Sequence, residues 1–431
     1  MIKIYRYDGV ENRNILSRGA PSRGVTGAVR DILAGVRAGG DRAVKEYTLK
    51  FDGADVPSPE MTDGEIARAV SSVEPKFIGI MKKAAKNIEA FHRCQLRTGF
   101  VTGGDGIVLG QRVLPLERVG IYVPGGTASY PSTVLMDCIP AKIAGVREIV
   151  IATPPSKDGS VDPGILAAAK IAGADRIFRI GGAQAIAAMA YGTETVPRVD
   201  KIAGPGNAFV AEAKRQVYGQ VAIDMIAGPS EILVIADGTC SARVVAADML
   251  SQAEHDKMAS AVLVTDSPEL AREVADELER QLASLPRREI ARASLDGNGK
   301  IIVVDSILKA IEIANEIAPE HLEICVDNPF DYLDRVRNAG SVFLGKSCPE
   351  ALGDYFAGPN HTLPTMGTAR FSSPLAVDDF VKRTSFTYYS GKALSEVSGD
   401  IAYFAEKEGL SAHARSVEAR AGNTKAAGGG L

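Results

Sequence analysis

Between residues 118 and 223 the chain alternates strand, turn and helix with unusual regularity. A strand over 119–122 precedes the turn Pro124-Gly125-Gly126 and a helix over 132–144. A strand over 148–152 precedes a helix over 163–172, and a strand over 176–180 precedes Gly181-Gly182 and a helix over 183–191. A strand over 201–203 precedes Gly204-Pro205-Gly206-Asn207 and a helix to Tyr218. Each strand must return by a crossover on the face of its sheet, and such crossovers are right-handed, so this pattern demands a parallel sheet.

A second alternation begins near Ile232, with strands over 232–235, 261–264, 301–304, 322–326 and 341–344. With 431 residues, two domains are the natural expectation. The expected class is α/β, with two Rossmann-like parallel-sheet domains, N-terminal helices and a helical C-terminal tail. The first 115 residues read as mainly helical, with helices over 25–38, 41–51 and 75–96. His92 in the last of these reads as a surface residue. The boundaries expected are an N-terminal extension (1–18), a first α/β domain (19–117 and 230–375), a second α/β domain (118–229) and a tail (376–431). Within the tail, helices are expected over 378–389 and 392–408 and around His413, with disorder after about 421.

A net charge of −4 without a sizeable block of like charge speaks against a nucleic-acid or anionic-membrane partner. The absence of Trp, with 6% aromatic residues, speaks against base-stacking platforms. The five cysteines (94, 138, 240, 325, 348) are widely spaced and form no C-x-x-C, as in a reducing cytoplasm. No apolar run approaches the roughly 20 residues that span a bilayer.

Ligands of open parallel sheets sit outside the carboxyl ends of the strands, where helix N-termini offer free N–H groups to phosphates. The turns at 124–126, 181–182 and 204–207 are therefore candidate nucleotide cradles, with Tyr122, Gln184 and Asn207 as polar neighbours. No full G-x-G-x-x-G is present: Gly204-Pro205-Gly206 begins one, but Phe209 stands at its third glycine. Tight turns need small residues in any parallel sheet, and Asn207 could equally be a helix N-cap.

Of five histidines, His255, His321, His361 and His413 fall in the C-terminal half. Gln252 and His255 are three apart, so they share a helix face, and an amide oxygen beside an imidazole can hold a metal ion with ligands from elsewhere. A polar helix end in solvent is the plain alternative. Glu320 and His321 enter a predicted strand: a carboxylate that can activate water beside an imidazole that can take a proton near neutral pH. Asp354 and His361 lie seven apart in a glycine-rich loop, and Glu408 precedes His413 in the tail.

Several motifs resemble the histidinol dehydrogenase family. They are Gly181 to Ala188 (GGAQAIAA), Val199 to Asn207 (VDKIAGPGN), Ala227 to Glu231 (AGPSE), Leu250 to Asp256 (LSQAEHD), Ala318 to Glu323 (APEHLE), Gly358 to Thr365 (GPNHTLPT) and Gly409 to His413 (GLSAH). The likeness runs in order from about residue 20 to residue 420. It implies oxidation of L-histidinol through L-histidinaldehyde to L-histidine, with one NAD reduced at each step, the last reaction of histidine biosynthesis. It implies one Zn2+ per subunit on Gln252, His255, Asp354 and His413, with Glu320 and His321 as the acid–base pair. It assigns substrate contacts to Ser230, His361 and Glu408 as well as to the metal ligands and Glu320, and NAD contacts to Tyr122, Gln184 and Asn207. It also implies a homodimer with shared active sites, the tail histidine reaching a site built mostly by the other subunit. Two departures are small: Thr362 stands where an apolar residue is frequent, and Met366 where glycine is common. The alternatives are a dehydrogenase of this scaffold acting on another small polar alcohol and, less favoured, a zinc hydrolase.

Overall fold

The computed structural model describes residues 2–7, 16, 24–125 and 129–426. Strand β1 (Lys3–Arg6) precedes helices α1 (Thr26–Asp52), α2 (Asp63–Ser71) and α3 (Pro75–Arg93) and a hairpin of β2 (Phe100–Gly104) and β3 (Ile107–Pro115). The first alternation follows: β4 (Arg118–Tyr122), α4 (Pro131–Ala144), β5 (Glu148–Thr153), α5 (Pro163–Ala172), β6 (Arg176–Arg179), α6 (Gly182–Tyr191), β7 (Lys201–Ala203), α7 (Ala208–Val217) and β8 (Ala222–Ile223). The second comprises β9 (Glu231–Ala236), α8 (Ala242–Ala253), β10 (Ser260–Thr265), α9 (Pro268–Leu282), α10 (Arg288–Asn298), β11 (Lys300–Val303), α11 (Ile307–Ile317), β12 (His321–Cys325), α12 (Phe330–Leu333), β13 (Ser341–Leu344) and α13 (Glu350–Tyr355). The chain ends in β14 (Val381–Tyr389), α14 (Gly391–Lys407) and α15 (Ser411–Ala426).

Among the described residues the strands form three sheets. A six-stranded sheet in the order β1-β11-β10-β9-β12-β13 and a five-stranded sheet in the order β6-β5-β4-β7-β8 are parallel throughout, as the two alternations require. Both sheets are buried on both faces. In β5, Ile149 and Ile151 enter one core while Val150 and Ala152 enter the opposite one. In β9, Ile232 and Val234 face one core, and Leu233 and Ile235 the other. This is the two-residue side-chain period of a strand covered by helices on each side, and each fully buried aliphatic side chain contributes about 1.5–3 kcal/mol. No helix among the described residues is long and apolar enough to cross a membrane.

The chain divides into two compact units. The first, residues 1–95 and 116–380, holds both parallel sheets; the second holds residues 96–115 and 381–431. Within the first, Val29 and Val36 of α1 and Met81 and Ile88 of α3 enter the cores of the five-stranded sheet. Residues 26–93 thus pack mainly with 118–229, whereas the sequence reading grouped them with 230–375. His92 departs from expectation as well. It is fully buried, with Nδ1 2.7 Å from Oε1 of Gln95, and burial lowers its pKa.

In the second unit, β14, β3 and β2 form an antiparallel sheet, and α14 packs on α15. Two expectations fail here. Residues 381–389 form a strand, not a helix, paired with β3 from Val381↔Pro115 to Tyr389↔Ile107. The run Thr384-Ser385-Phe386-Thr387-Tyr388-Tyr389 is β-branched and aromatic, which suits a pleated surface. Residues 100–115 form a hairpin, not an extension of the helical region. Its two-residue loop, Asp105-Gly106, has both φ angles positive (52° and 84°), the geometry that favours Asp-Gly. Helix α15 continues through Ala426, past the point where disorder is expected, and 427–431 lie outside the described residues.

Candidate active site

The acid–base pair sits at the amino end of β12, between β9 and the edge strand β13 of the six-stranded sheet. Pairing places His321 opposite Ile232, so the segment Ser230-Glu231 that leads into β9 lies beside Glu320. The Glu231 N–H donates to Oε2 of Glu320 at 2.8 Å, and the Glu231 carbonyl lies 2.9 Å from Nδ1 of His321. Helix α8 follows β9 and runs back along the sheet, which returns Gln252 and His255 to the same end. Helix α13 brings Asp354, whose Oδ1 is 3.6 Å from Nε2 of His321 and 4.0 Å from Nδ1 of His361. Nδ1 of His361 donates to the Asp354 carbonyl at 3.0 Å, and the Thr133 hydroxyl is 3.2 Å from its Nε2. Thr133 lies in the first turn of α4, so this helix of the five-stranded sheet braces the loop that carries His361. The same helix accepts a hydrogen bond from Thr362 to Oδ1 of Asp137 (2.7 Å), which gives the departing threonine a buried partner.

The electrostatics are those of charges gathered out of water. Burial pushes Glu320 up to about 8. Burial disfavours the His321 imidazolium, but the carboxylates of Glu350, Glu320 and Asp354 outweigh it and raise the pKa well above the ordinary histidine value. Burial also disfavours the Asp354 carboxylate, yet its contact with His321 and the neighbouring imidazoles of His361 and His255 hold it below its usual range. Burial lowers His255 and His361.

The donor set fits a divalent cation. Ligand atoms of His255, Glu350 and Asp354 lie within 4.8 Å of one another. Gln252 is buried beside them, one end of its amide 2.6 and 2.9 Å from the two Glu350 carboxylate oxygens; facing two acceptors, that end is assigned as the NH2. Nε2 of His321 is buried and has no hydrogen-bond partner among the described residues. An imidazole, carboxylates and an amide are a mixed nitrogen and oxygen set that suits zinc. A cation there also neutralises the carboxylates that otherwise raise His321.

A separate cleft of about 660 Å³ lies at the carboxyl ends of the five-stranded sheet, within the size range of cofactor pockets. Tyr122, Gln184, Asn207, Phe51, Asp52 and Phe209 are among its lining residues. The Gly182 N–H donates to the Tyr122 hydroxyl at 3.0 Å. Oδ1 of Asn207 accepts from the N–H groups of Phe209 (3.0 Å) and Val210 (3.2 Å), so Asn207 is an N-cap whose NH2 has no hydrogen-bond partner among the described residues. Gly204 has φ +111°, and a Cβ there would run into the Tyr122 carbonyl. That turn therefore keeps its backbone close to the strand and open to the cleft. Of the first candidate turn, Gly126 lies outside the described residues.

The structure thus gathers Ser230, Gln252, His255, Glu320, His321, Asp354 and His361 around the amino ends of β9 and β12. It gathers Tyr122, Gln184 and Asn207 at the other cleft. Glu408, the C-cap of α14, and His413, in the first turn of α15, belong to the second unit. Sequence reasoning missed Glu350, Glu231, Asp52 and Thr133. Glu350 had a legible signal, since it stands four residues before Asp354 and so shares its helix face.

The sequence pattern of the histidinol dehydrogenase family matches residues 17–421. A histidinol dehydrogenase of Clostridium acetobutylicum is 57% identical over 393 residues, covering 91% of each chain. One of Bacillus cereus is 54% identical over 420 residues, covering 97% of this chain and 96% of its own. The crystal structure of histidinol dehydrogenase from Elizabethkingia anophelis superposes with a TM-score of 0.93 at 39% identity, covering 98% of this chain and 99% of that one. The chain belongs to the histidinol dehydrogenase family.

Proposed function

We propose that the protein oxidises L-histidinol through L-histidinaldehyde to L-histidine, the last step of histidine biosynthesis, using zinc and NAD. The observation that carries this reading is the convergence of Glu320 and His321 with Gln252, His255 and Asp354 at one sheet end, in a chain of this family. When bound, NAD supplies a hydride acceptor at each step, and one Zn2+ per subunit supplies a Lewis-acidic template for the amine and imidazole of the substrate.

Gln252, His255 and Asp354 hold the metal, with His413 of the partner subunit completing the set. Tyr122, Gln184 and Asn207 hold the cofactor. His321 takes the alcohol proton at Nε2, the nitrogen not engaged by the Glu231 carbonyl, as hydride leaves the carbinol carbon. Glu320 then takes a proton from water as its oxygen adds to the aldehyde carbon, giving the hydrate. Its raised pKa, about 8, suits a proton transfer near neutral pH. His321, after releasing its first proton to solvent with the first NADH, takes a proton from the hydrate during the second hydride loss. Ser230 and His361 position the substrate, and the Thr133 hydroxyl yields His361 Nε2 when it does so. Glu408 of the partner subunit completes the substrate contacts.

The homodimer with shared sites draws support from the second unit. Among the described residues its buried cluster is Ala402, Ala405 and Ala414, while Tyr403 and Phe404 of α14 are each 66% exposed. A unit with so small a core and such exposed aromatic residues gains by covering them with a second copy.

The test is product analysis with purified protein, NAD and L-histidinol. Conversion to L-histidine with two NADH formed per substrate supports the proposal. NADH formed from another small polar alcohol but not from histidinol overturns the substrate assignment.

A further inference from the structure

Glu350 is nearly as buried as any residue at the site, at 2% exposure, and lies one helical turn before Asp354 on α13. Its own N–H donates to Oε1 of Glu323 at 2.7 Å, which fixes the start of the helix. The end of the Gln252 side chain that faces Glu350 lies 2.6 and 2.9 Å from its two carboxylate oxygens, and because two acceptors there can be met only by a donor, chemistry assigns that end as the NH2; Gln252 is 1% exposed. A glutamine amide is nearly symmetric in shape, and its two ends differ in chemistry: the oxygen binds a cation, the NH2 cannot. Something has to decide which end faces the metal. An ionised carboxylate accepts hydrogen bonds and donates none, so it selects the NH2. A divalent cation close by keeps that carboxyl ionised.

We propose that Glu350 is the positioning residue of the metal site: it holds the Gln252 amide by its NH2, so that the carbonyl oxygen is the atom offered to the cation. This rests on the zinc reading above. It parallels the partners that orient metal-bound histidines, whose loss weakens binding about 10- to 100-fold. Glu350 acts here through Gln252. A direct ligand role is the competing possibility, because a Glu350 oxygen lies within 4.8 Å of the ligand atoms of His255 and Asp354.

A double-mutant cycle separates the two roles. Zinc dissociation constants are measured by chelator competition on full-length wild type, Glu350→Gln, Gln252→Ala and the double variant, with thermal melting of each apoprotein as a control for folding. The proposal predicts that Glu350→Gln weakens zinc binding about 10- to 100-fold in the wild-type background, and changes it by less than about threefold when Gln252 is already alanine. Unchanged affinity in Glu350→Gln, or an equal loss in both backgrounds, overturns it. Should Glu350→Gln not fold, Glu350→Asp replaces it in the cycle, since the shortened carboxylate no longer reaches the amide. A folded wild type that binds no zinc overturns the zinc reading itself, an outcome distinct from the others.

Discussion

The ring nitrogen Nδ1 of His321 lies 2.9 Å from the main-chain carbonyl oxygen of Glu231. A carbonyl can only accept, so Nδ1 carries the proton and Nε2 is the basic nitrogen. The strand pairing of β9 with β12 sets this contact, so the tautomer of the base is fixed by the sheet itself. His321→Asn offers an amide donor but no basic nitrogen. Steady-state NADH formation should fall by about 10²- to 10⁴-fold in kcat, with zinc content unchanged. A variant that keeps near wild-type kcat would remove His321 from the role of base.

Glu320→Gln tests the division of labour within the pair. The amide cannot take a proton from water. Aldehyde hydration should slow by about 10²-fold or more, while the first oxidation slows less. Single-turnover measurements starting from L-histidinol and from L-histidinaldehyde give the two rates separately. Equal losses in both would contradict the assignment.

Shared sites can be read by complementation. His413→Ala and His321→Asn should each be inactive alone, and His413→Ala should lose zinc. Unfolding and refolding the two together should restore partial activity. A mixed dimer then holds one site with both residues intact. No recovery from correctly refolded mixed dimers would place His413 outside a partner's site.

Acid stability has a local source far from the chemistry. The Thr62 N–H and hydroxyl each donate to Oε2 of Glu65 at 2.8 Å, and Arg179 donates to its Oε1 at 2.9 Å. The Thr62 backbone contact first, then the hydroxyl and Arg179, hold Glu65 down to about 2. A depressed folded-state pKa stabilises the fold above the ordinary carboxylate value, and that contribution is lost as pH falls toward 2. Urea midpoints of Glu65→Gln should therefore be lower than wild type near neutral pH and converge with it between about pH 5 and pH 2. A constant difference across that range would contradict the linkage.

The alternations over 118–223 and 232–344 were legible because their strands are buried on both faces and their helices begin at glycine or polar turns. The hairpin at 100–115 was equally legible in principle from Asp105-Gly106, but residues 100–104 are exposed throughout and show no buried stripe. Strand β14 hid for a related reason. Eight of its nine residues are exposed within this chain, so no core-facing pattern marked it. At the site, histidines and unusual Glu-His pairs advertised themselves. Glu350 offered only its four-residue spacing from Asp354, a weak signal because a glutamate at a helix start is commonplace and its meaning comes from the Gln252 amide, 98 positions away in sequence. His92 misled in the opposite direction: its polar neighbours suggested solvent, whereas Gln95 gives its ring a partner in the interior.

The most direct test of the account is NADH released per L-histidinol by chelated protein, before and after zinc is returned. The account predicts almost no NADH from the chelated, folded protein and a return to two NADH per histidinol with zinc. Full turnover by zinc-free protein, or none by folded protein reloaded with zinc, would contradict it.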